Sequence, residues 1–425
     1  MRKIIFIFLL LPSLLFAQTD ILVSGATQLI SISTPGGCLL GGVPGVDQEI
    51  PSTISRNLEL SGYFRVINPA SYIESPGKCG GPSNIAYSDW TVIGSDYVVR
   101  TDISQAGGRM RVQLYLLDAY KQTAVLGKEY EGALSDARLM AHRFSNEILK
   151  FFTGESGPFG SQIAFSMKIG RFKELAVMDM DGSNIRQLTS DKGLAKSAAF
   201  SRDGRNVVYT NYKQKVPDIF SIDIVTRAIR QITRGSELEI GPHFLPDGSI
   251  IASRSEGRGS SLVVYGSNGS VIRKVIAGGG TINVSPSISS DGTQMVFCSD
   301  QAGSPQIYLS GSDGSSPRRV SFVQSNYCTS PSFSPKGDMI AFVCRAEGGF
   351  NLFVSSPDGS NPLQLTSYGN NEDPDWSPDG RYITFSSTAG RGVASLAMIR
   401  KDGRAFKQLT NARNGDSEPS WGPVP

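Results

Sequence analysis

Several features that would announce a catalyst, a nucleic-acid binder or a membrane span are scarce in this chain of 425 residues. Histidine occurs twice, as His142 and His243. Nucleophilic hydrolysis by a Ser-His couple also needs a Ser on a G-x-S-x-G elbow. No such motif occurs, and "TGESGP" (Thr153–Pro158) matches it only loosely. Both histidines therefore read as structural, and no catalytic residue is assigned. The five cysteines lack metal-ligand spacing, so neither a metal nor a cofactor is expected. The formal net charge is only +3, with no basic stripe of the kind that tracks a phosphate backbone, which argues against nucleic acid. Only one long apolar run exists, Ile4–Phe16, and it is too short to cross a bilayer.

That run follows Arg2 and Lys3 and ends at Ala17. The pattern is that of a secretory signal peptide, residues 1–17, cleaved before Gln18, with Leu15 larger than the preferred residue at its position. Its removal leaves a net charge of about +1 and no transmembrane segment, and no Cys stands at the new terminus to accept a lipid. Export permits disulfides. Cys38 and Cys79 lie in Gly- and Pro-rich loops that can approach each other. If "SPKGD" is a hairpin turn pairing Ser334 with Asp338, then Phe333 faces Met339, Pro331 faces Ala341 and Cys328 faces Cys344, where two thiols can bridge. Cys298 is left as a buried thiol. The alternative, that all of these are small buried hydrophobes, stays open on these grounds.

What is abundant is Gly (47) and Pro (23), spent on turns at a fixed period. "GPHFLPDGSIIASRS", "SPSISSDGTQMVFCS", "SPSFSPKGDMIAFVC" and "DPDWSPDGRYITFSS" say nearly the same thing. Turn glycines fall at Gly204, Gly248, Gly292, Gly337 and Gly380, in steps of 44, 44, 45 and 43. A second landmark closes each unit: Leu188-Thr189, Ile232-Thr233, Ile276-Ala277, Val320-Ser321, Leu365-Thr366 and Leu409-Thr410, in steps of 44, 44, 44, 45 and 44. That is the length of a four-stranded propeller blade. Asp-Gly or Asn-Gly recurs between third and fourth strands, except in the unit with "DIVTRAI". These pairs read as hairpin turns, not as metal ligands. The first unit starts at "SQIAFSM" without an inner strand, while "SEPSWGP" (Ser417–Pro423) is an inner strand with nothing after it. The tail should therefore complete the first blade, closing six blades into a ring across residues 159–425.

Residues 18–158 do not share the period and read as a separate two-layer α/β domain. Gln48–Gly62 has helical spacing, as do Leu134, Ala137, Ala141, Phe144, Ile148 and Phe151 ahead of Gly154. "WTVIGSDYVVRTDIS", "RMRVQLYLLDA" and "AVLGKEYEG" read as strands. The fold class expected is a six-bladed β-propeller preceded by a small two-layer α/β domain. In a closed ring the loops leading into the innermost strands crowd one mouth, and loops on a rigid frame carry function. Candidate contacts there are Lys196, Glu237 and Glu239, then Asn283, Val284, Asn326 and Tyr327, then Asn371, Glu372, Asp373, Asp416 and Glu418. With carboxylates outnumbering Lys, the mouth suits a polar, partly basic protein or peptide. A secreted propeller hydrolase or a saccharide-binding module is the alternative.

Signal peptide, α/β domain and six repeats with "SPDG" and "LT" landmarks together resemble the TolB family, as do "LELSGYFRVINP" and "FFTGESGPFGSQIAFS". The resemblance implies a non-enzymatic periplasmic protein of the Tol-Pal system. Its propeller loop face would bind the peptidoglycan-associated lipoprotein (Pal), on the loops before Pro242, Pro286, Pro331, Pro374 and Pro419. Its mature N-terminal segment, Gln18, Thr19, Asp20, Ile21, Leu22 and Val23 onward, would contact TolA and other inner-membrane Tol proteins. It also implies outer-membrane integrity and invagination during cell division as the role, and colicin-type peptides using the same mouth during bacteriocin import. "STPGGCLLGGVPG" departs from the plainer apolar-proline stretch of the family.

Overall fold

Six four-stranded antiparallel sheets form the ring, and a six-stranded sheet precedes them. The computed structural model describes residues 28–425 except 42–43, 76, 107, 214–215, 390–391 and 412–414. The signal segment 1–17 and the segment Gln18–Val23 lie outside the described residues.

Blade six shows why the repeat folds as it does. Its inner strand Asn371–Trp376 turns through Pro378-Asp379-Gly380 into Tyr382–Ser387. Gly380 takes φ 67° and donates its N–H to the Ser377 carbonyl at 2.8 Å, while Asp379 accepts from the Ser377 hydroxyl and the Arg381 N–H. Gly204, Gly248, Gly292 and Gly337 hold the same left-handed position, open at little cost only to glycine. At the turn between third and fourth strands, where other blades place Gly182, Gly269, Gly314, Gly359 or Gly403, the unit without Asp-Gly has Arg227 at φ 60°. The closing Thr or Ser has a definite task. Its hydroxyl accepts an N–H from the first half of the third strand: Leu175 to Thr189 at 2.9 Å, and likewise at Thr233, Ser321, Thr366 and Thr410. Where Ala277 stands instead, the Ser261 hydroxyl accepts from the Gly278 N–H.

The last strand, Ser417–Trp421, pairs antiparallel with Gln162–Ile169, Trp421 opposite Ile163 and Ser420 opposite Ala164, so the chain's end completes blade one. Trp421 is buried, donates its indole N–H to the Ser161 hydroxyl at 2.8 Å and its backbone N–H to Asp375 at 2.7 Å. Closure leaves the ring no open end at which a blade would expose an inner edge.

One registration differs from the straight count. Next to the turn, Phe333 pairs with Ile340 and Ser332 with Ala341, not with Met339 and through Pro331 as expected. A bulge at Ser330 then shifts the register by one, and Cys328 still faces Cys344. Cys328–Cys344 and Cys38–Cys79 are disulfides, and Cys298 is a buried free thiol.

In the N-terminal unit Ile30–Ser33 lies parallel between Phe64–Val66 and Tyr97–Ala106, and an antiparallel meander adds Arg109–Asp118 and Thr123–Ala133. Helix α1, Val46–Ser61, contains Pro51, which cannot donate to the Asp47 carbonyl. The Gly37 N–H takes that acceptor at 2.7 Å. The strand expected from Trp90 begins only at Tyr97. Tyr87–Thr91 is a short helix, α2, because Trp90 is drawn inward to donate to Glu74 at 2.8 Å and Gly94 turns the chain at φ 75°. Helix α3, Ala137–Thr153, ends on left-handed Gly154. Phe151, expected inward, is 47% exposed. Phe152 packs on Phe64 and Tyr97 instead, since the i+4 position lies nearer the stripe of Ile148 than i+3 does.

This unit shares one apolar core with blades one and six: Ile54, Leu58 and Phe144 belong to the same cluster as Phe165, Met178, Tyr382 and Trp421. Polar contacts frame it. Arg381 in a blade turn donates to Thr153, Glu155 and Ser156 at 2.7, 3.1 and 2.9 Å, and the Tyr382 hydroxyl to the Ser61 carbonyl at 2.9 Å. Arg56 and Arg138 reach Asp181 at 3.2 and 3.5 Å. All these propeller residues sit at or beside the turns that follow the inner or third strands, so the α/β unit occupies the turn face and leaves the opposite mouth uncovered by the described residues. Because Trp421 stands at the closure, Trp421→Ala should lower unfolding free energy by about 3–5 kcal/mol in denaturant titration. A loss below about 1 kcal/mol would contradict a closing role.

Candidate functional site

Each inner strand starts at the mouth, and each contains one residue of left-handed backbone: Ser197 (φ 52°), Gly241 (62°), Ser285 (53°), Ser330 (49°), Asp373 (54°) and Glu418 (54°). Five of the six carry a side chain there, at a cost of about 1–2 kcal/mol each. In blades two to six the sheet register shifts at this point, and it does so again between Ser417 and Ser420. The following residue is Pro242, Pro286, Pro331, Pro374 or Pro419 (Ala198 in blade two), and proline has no N–H to orphan where the ladder breaks. The bulges surround a central channel of about 390 Å³ that His243, Asp375, Trp376 and Trp421 also line.

Neighbouring inner strands are tied across this throat. The Ser197 N–H and hydroxyl donate to Glu418 at 2.7 and 3.2 Å, the Ser330 hydroxyl to Asp373 at 3.3 Å, and the Ser332 hydroxyl to Asp375 at 3.0 Å. Charge is confined to one side. Lys196 lies 2.9 Å and Lys173 4.0 Å from Glu418. Loss of water, then the neighbouring Glu418 and Glu372, push the Asp373 carboxyl up to about 7. Burial raises Asp375 as well and lowers Lys173.

Three residues before each bulge, the chain reaches the rim. Leu194, Leu238 and Ile282 are 37%, 46% and 48% exposed there, and Tyr327 follows in blade five. The Arg345 guanidinium lies 5.0 Å from the Tyr327 ring centre and 5.4 Å from that of Phe350, with the rings 5.8 Å apart edge to face. In blades six and one the position is Asn370 and Gly415. The rim thus carries an apolar or aromatic side chain over four consecutive blades and none over the other two.

Several expected mouth contacts lie deeper. Glu239, Asn283, Asn371 and Asp416 are buried in a row beneath the rim, because the strand's alternation turns them into the seams between blades. Asn283 donates to the Ser260 carbonyl at 2.9 Å, Asn371 to that of Tyr368 at 3.0 Å, and Asp416 accepts from the Lys168 N–H at 3.4 Å. Glu237, Asn326 and Glu372 are exposed. Lys196, Val284, Tyr327, Asp373 and Glu418 are half-buried. Leu194, Leu238, Ile282, Arg345 and Phe350 escape a reading by charge, although alignment on the strand prolines shows the apolar column. His243 bonds the Phe244 carbonyl through Nδ1 at 2.9 Å, in the channel. His142 is buried 3.0 Å from Asn57 beneath α1, and burial lowers its pKa to about 4. Among the described residues no group of three or more His, Cys, Asp or Glu could hold a metal ion, and no helix is long and apolar enough to cross a membrane.

A family model described as the TolB beta propeller domain matches residues 149–425, and one described as the TolB amino-terminal domain matches residues 23–125. "Tol-Pal system protein TolB" of Desulfosudis oleivorans is 31% identical over 275 residues, 62% of this chain and 62% of the relative. "Protein TolB homolog" of Chlorobium luteolum is 30% identical over 261 residues, 61% and 59% of the two chains. The matched stretch is therefore under two thirds of either relative. The crystal structure of TolB from Acinetobacter baumannii superposes with a TM-score of 0.80 at 24% identity, covering 93% of this chain and 97% of that one, which is a likeness of fold.

The Cys328–Cys344 bridge lies immediately beside Tyr327 and Arg345 and closes a sequence separation of 16 residues. Replacing both cysteines by Ser should lower stability by about 3 kcal/mol, and denatured, unreduced wild-type protein should titrate a single thiol, Cys298. More than one reactive thiol would contradict the pairing.

Proposed function

The chain belongs to the TolB family, and from that premise we propose that it is a non-catalytic, protein-binding scaffold of a Tol-Pal system in the periplasm. The propeller mouth takes a peptidoglycan-associated lipoprotein. The segment Gln18–Val23 contacts TolA or another inner-membrane Tol protein, and the chain so connects the two membranes during division and maintains the outer one. Colicin-type peptides would use the same mouth.

The observation that carries this reading is the rim. Leu238, Ile282 and Tyr327 are exposed or half-buried beside a throat of mixed charge, on the face opposite the α/β unit. Apolar and aromatic anchors ringed by polar groups are what protein interfaces use for affinity, with charge steering the approach. A rigid frame lowers the ordering cost of binding. The exposed Glu372 suits a partner with basic groups.

The test is equilibrium binding of the full exported chain to the soluble domain of a peptidoglycan-associated lipoprotein. Leu238→Asp and Tyr327→Ala should each weaken binding at least tenfold, about 1.4 kcal/mol, and Glu372→Lys should slow association. Lys401→Glu, on the turn face, should change neither. Rim variants that bind like wild type would contradict the assignment.

A further inference from the structure

At every seam, the start of one blade's third strand meets the buried row at the start of the next blade's inner strand. In the seam of blades five and six these positions are Asn351 and Asn371, and the Asn371 amide donates to Asn351 at 3.5 Å. Glu174 stands at one such position with Ala195 opposite, and Asp416 with Ser395. No seam but one combines two carboxylates. The exception joins blades two and three, where Asp218 and Glu239 are 2% and 4% exposed. The Glu239 N–H donates to the carbonyl of Pro217, next to Asp218, at 3.2 Å. One oxygen of each carboxyl, Oδ1 of Asp218 and Oε2 of Glu239, has no hydrogen-bond partner among the described residues. The other oxygens are held by Gln231, which donates to Asp218 at 2.9 Å, and by the Tyr265 hydroxyl 3.5 Å from Glu239.

We propose that Asp218 and Glu239 share one proton, and that its release loosens this seam and moves the rim residue Leu238, which directly precedes Glu239. Two buried carboxylates side by side cannot both ionise without strong repulsion, and an orphaned oxygen in such a site is costly unless one of the pair is protonated. The surrounding charges are mixed. Arg254 and the Thr233 hydroxyl favour ionised Glu239, and Gln231, Thr233 and Arg234 ionised Asp218, whereas Glu237 opposes it for Glu239. Burial, then the neighbouring Asp218, push Glu239 up to about 7, and burial raises Asp218. A carboxyl raised in the folded state contributes stability that is complete below its unfolded pKa and is lost as pH rises through the folded value, between about 4.5 and about 7 for Glu239. The latch is closed in mild acid and weakened above neutrality. Only the consequence for partner affinity rests on the mouth being the binding face.

The experiment compares thermal midpoints of the full chain and of Glu239→Gln from about pH 5 to about pH 8. The amide is the group another seam already uses, so the variant should fold, and Asp218→Asn supplies a second. The channel carboxylates titrate in all three proteins and cancel in the difference. Wild type should lose at least about 3 °C relative to Glu239→Gln as pH rises, and Asp218→Asn should fall between the two, because burial still raises Glu239 there. The infrared difference between wild type and Glu239→Gln near pH 6 should contain a protonated carboxyl band, the channel carboxyls Asp373 and Asp375 being common to both and cancelling. A pH-independent difference, or no such band, would overturn the proposal. So would a wild-type midpoint at high pH that calcium or potassium raises and that Glu239→Gln does not share, since the occupant would then be a metal ion.

Discussion

Everything at the mouth depends on one pairing, that of Ser417–Trp421 with the strand begun at Gln162. A propeller is a stack in which each sheet buries its faces against two neighbours, and a stack that does not close leaves two faces wet. The chain solves this by splitting blade one between its two ends. The same strand places Trp421 against Ser161 and Asp375 and places Glu418 beside Lys196. Closure, one contact of the shared core and the Glu418 pairing of the throat therefore meet on a single strand.

The ring of left-handed residues converts closure into a site. Without the bulges the inner strands would run in register to the rim and present an even ladder. With them, each strand kinks where it meets the channel, and the residues before the kink split into an exposed column and a buried one. Leu194, Leu238, Ile282 and Tyr327 go out; Glu239, Asn283, Asn371 and Asp416 go in. The conformational cost of the kinks is spread around the annulus and met by proline placement and by hydroxyl-to-carboxylate bonds between strands.

Much of this is legible in the sequence because turn chemistry is local. Gly380 and its equivalents, and the Thr or Ser that accepts a third-strand N–H, repeat because backbone geometry demands them. The missing inner strand at Ser161 and the surplus one at Ser417 tell of closure by simple counting. The left-handed residues are not legible, although a proline follows five of the six; a Ser at φ 49° looks like any other Ser. Hence a straight count sets the register beside Lys336-Gly337 one residue out while Cys328 and Cys344 still meet. For the same reason Glu239 and Asp416 look like loop-tip acids until the kink is seen. In the α/β unit, Ile30–Ser33 escapes notice because a four-residue strand paired in parallel to distant partners has no turn to announce it.

Whether the tail strand holds the annulus shut is tested most directly by native-state hydrogen exchange. The amides of Ser420 and Trp421 should exchange only with global unfolding, as slowly as those of Val207 or Phe342 in the second strands. Exchange of the tail segment well before them, with the other five blades still protected, would mean that the ring stands without its last strand and that closure is not what holds the mouth together.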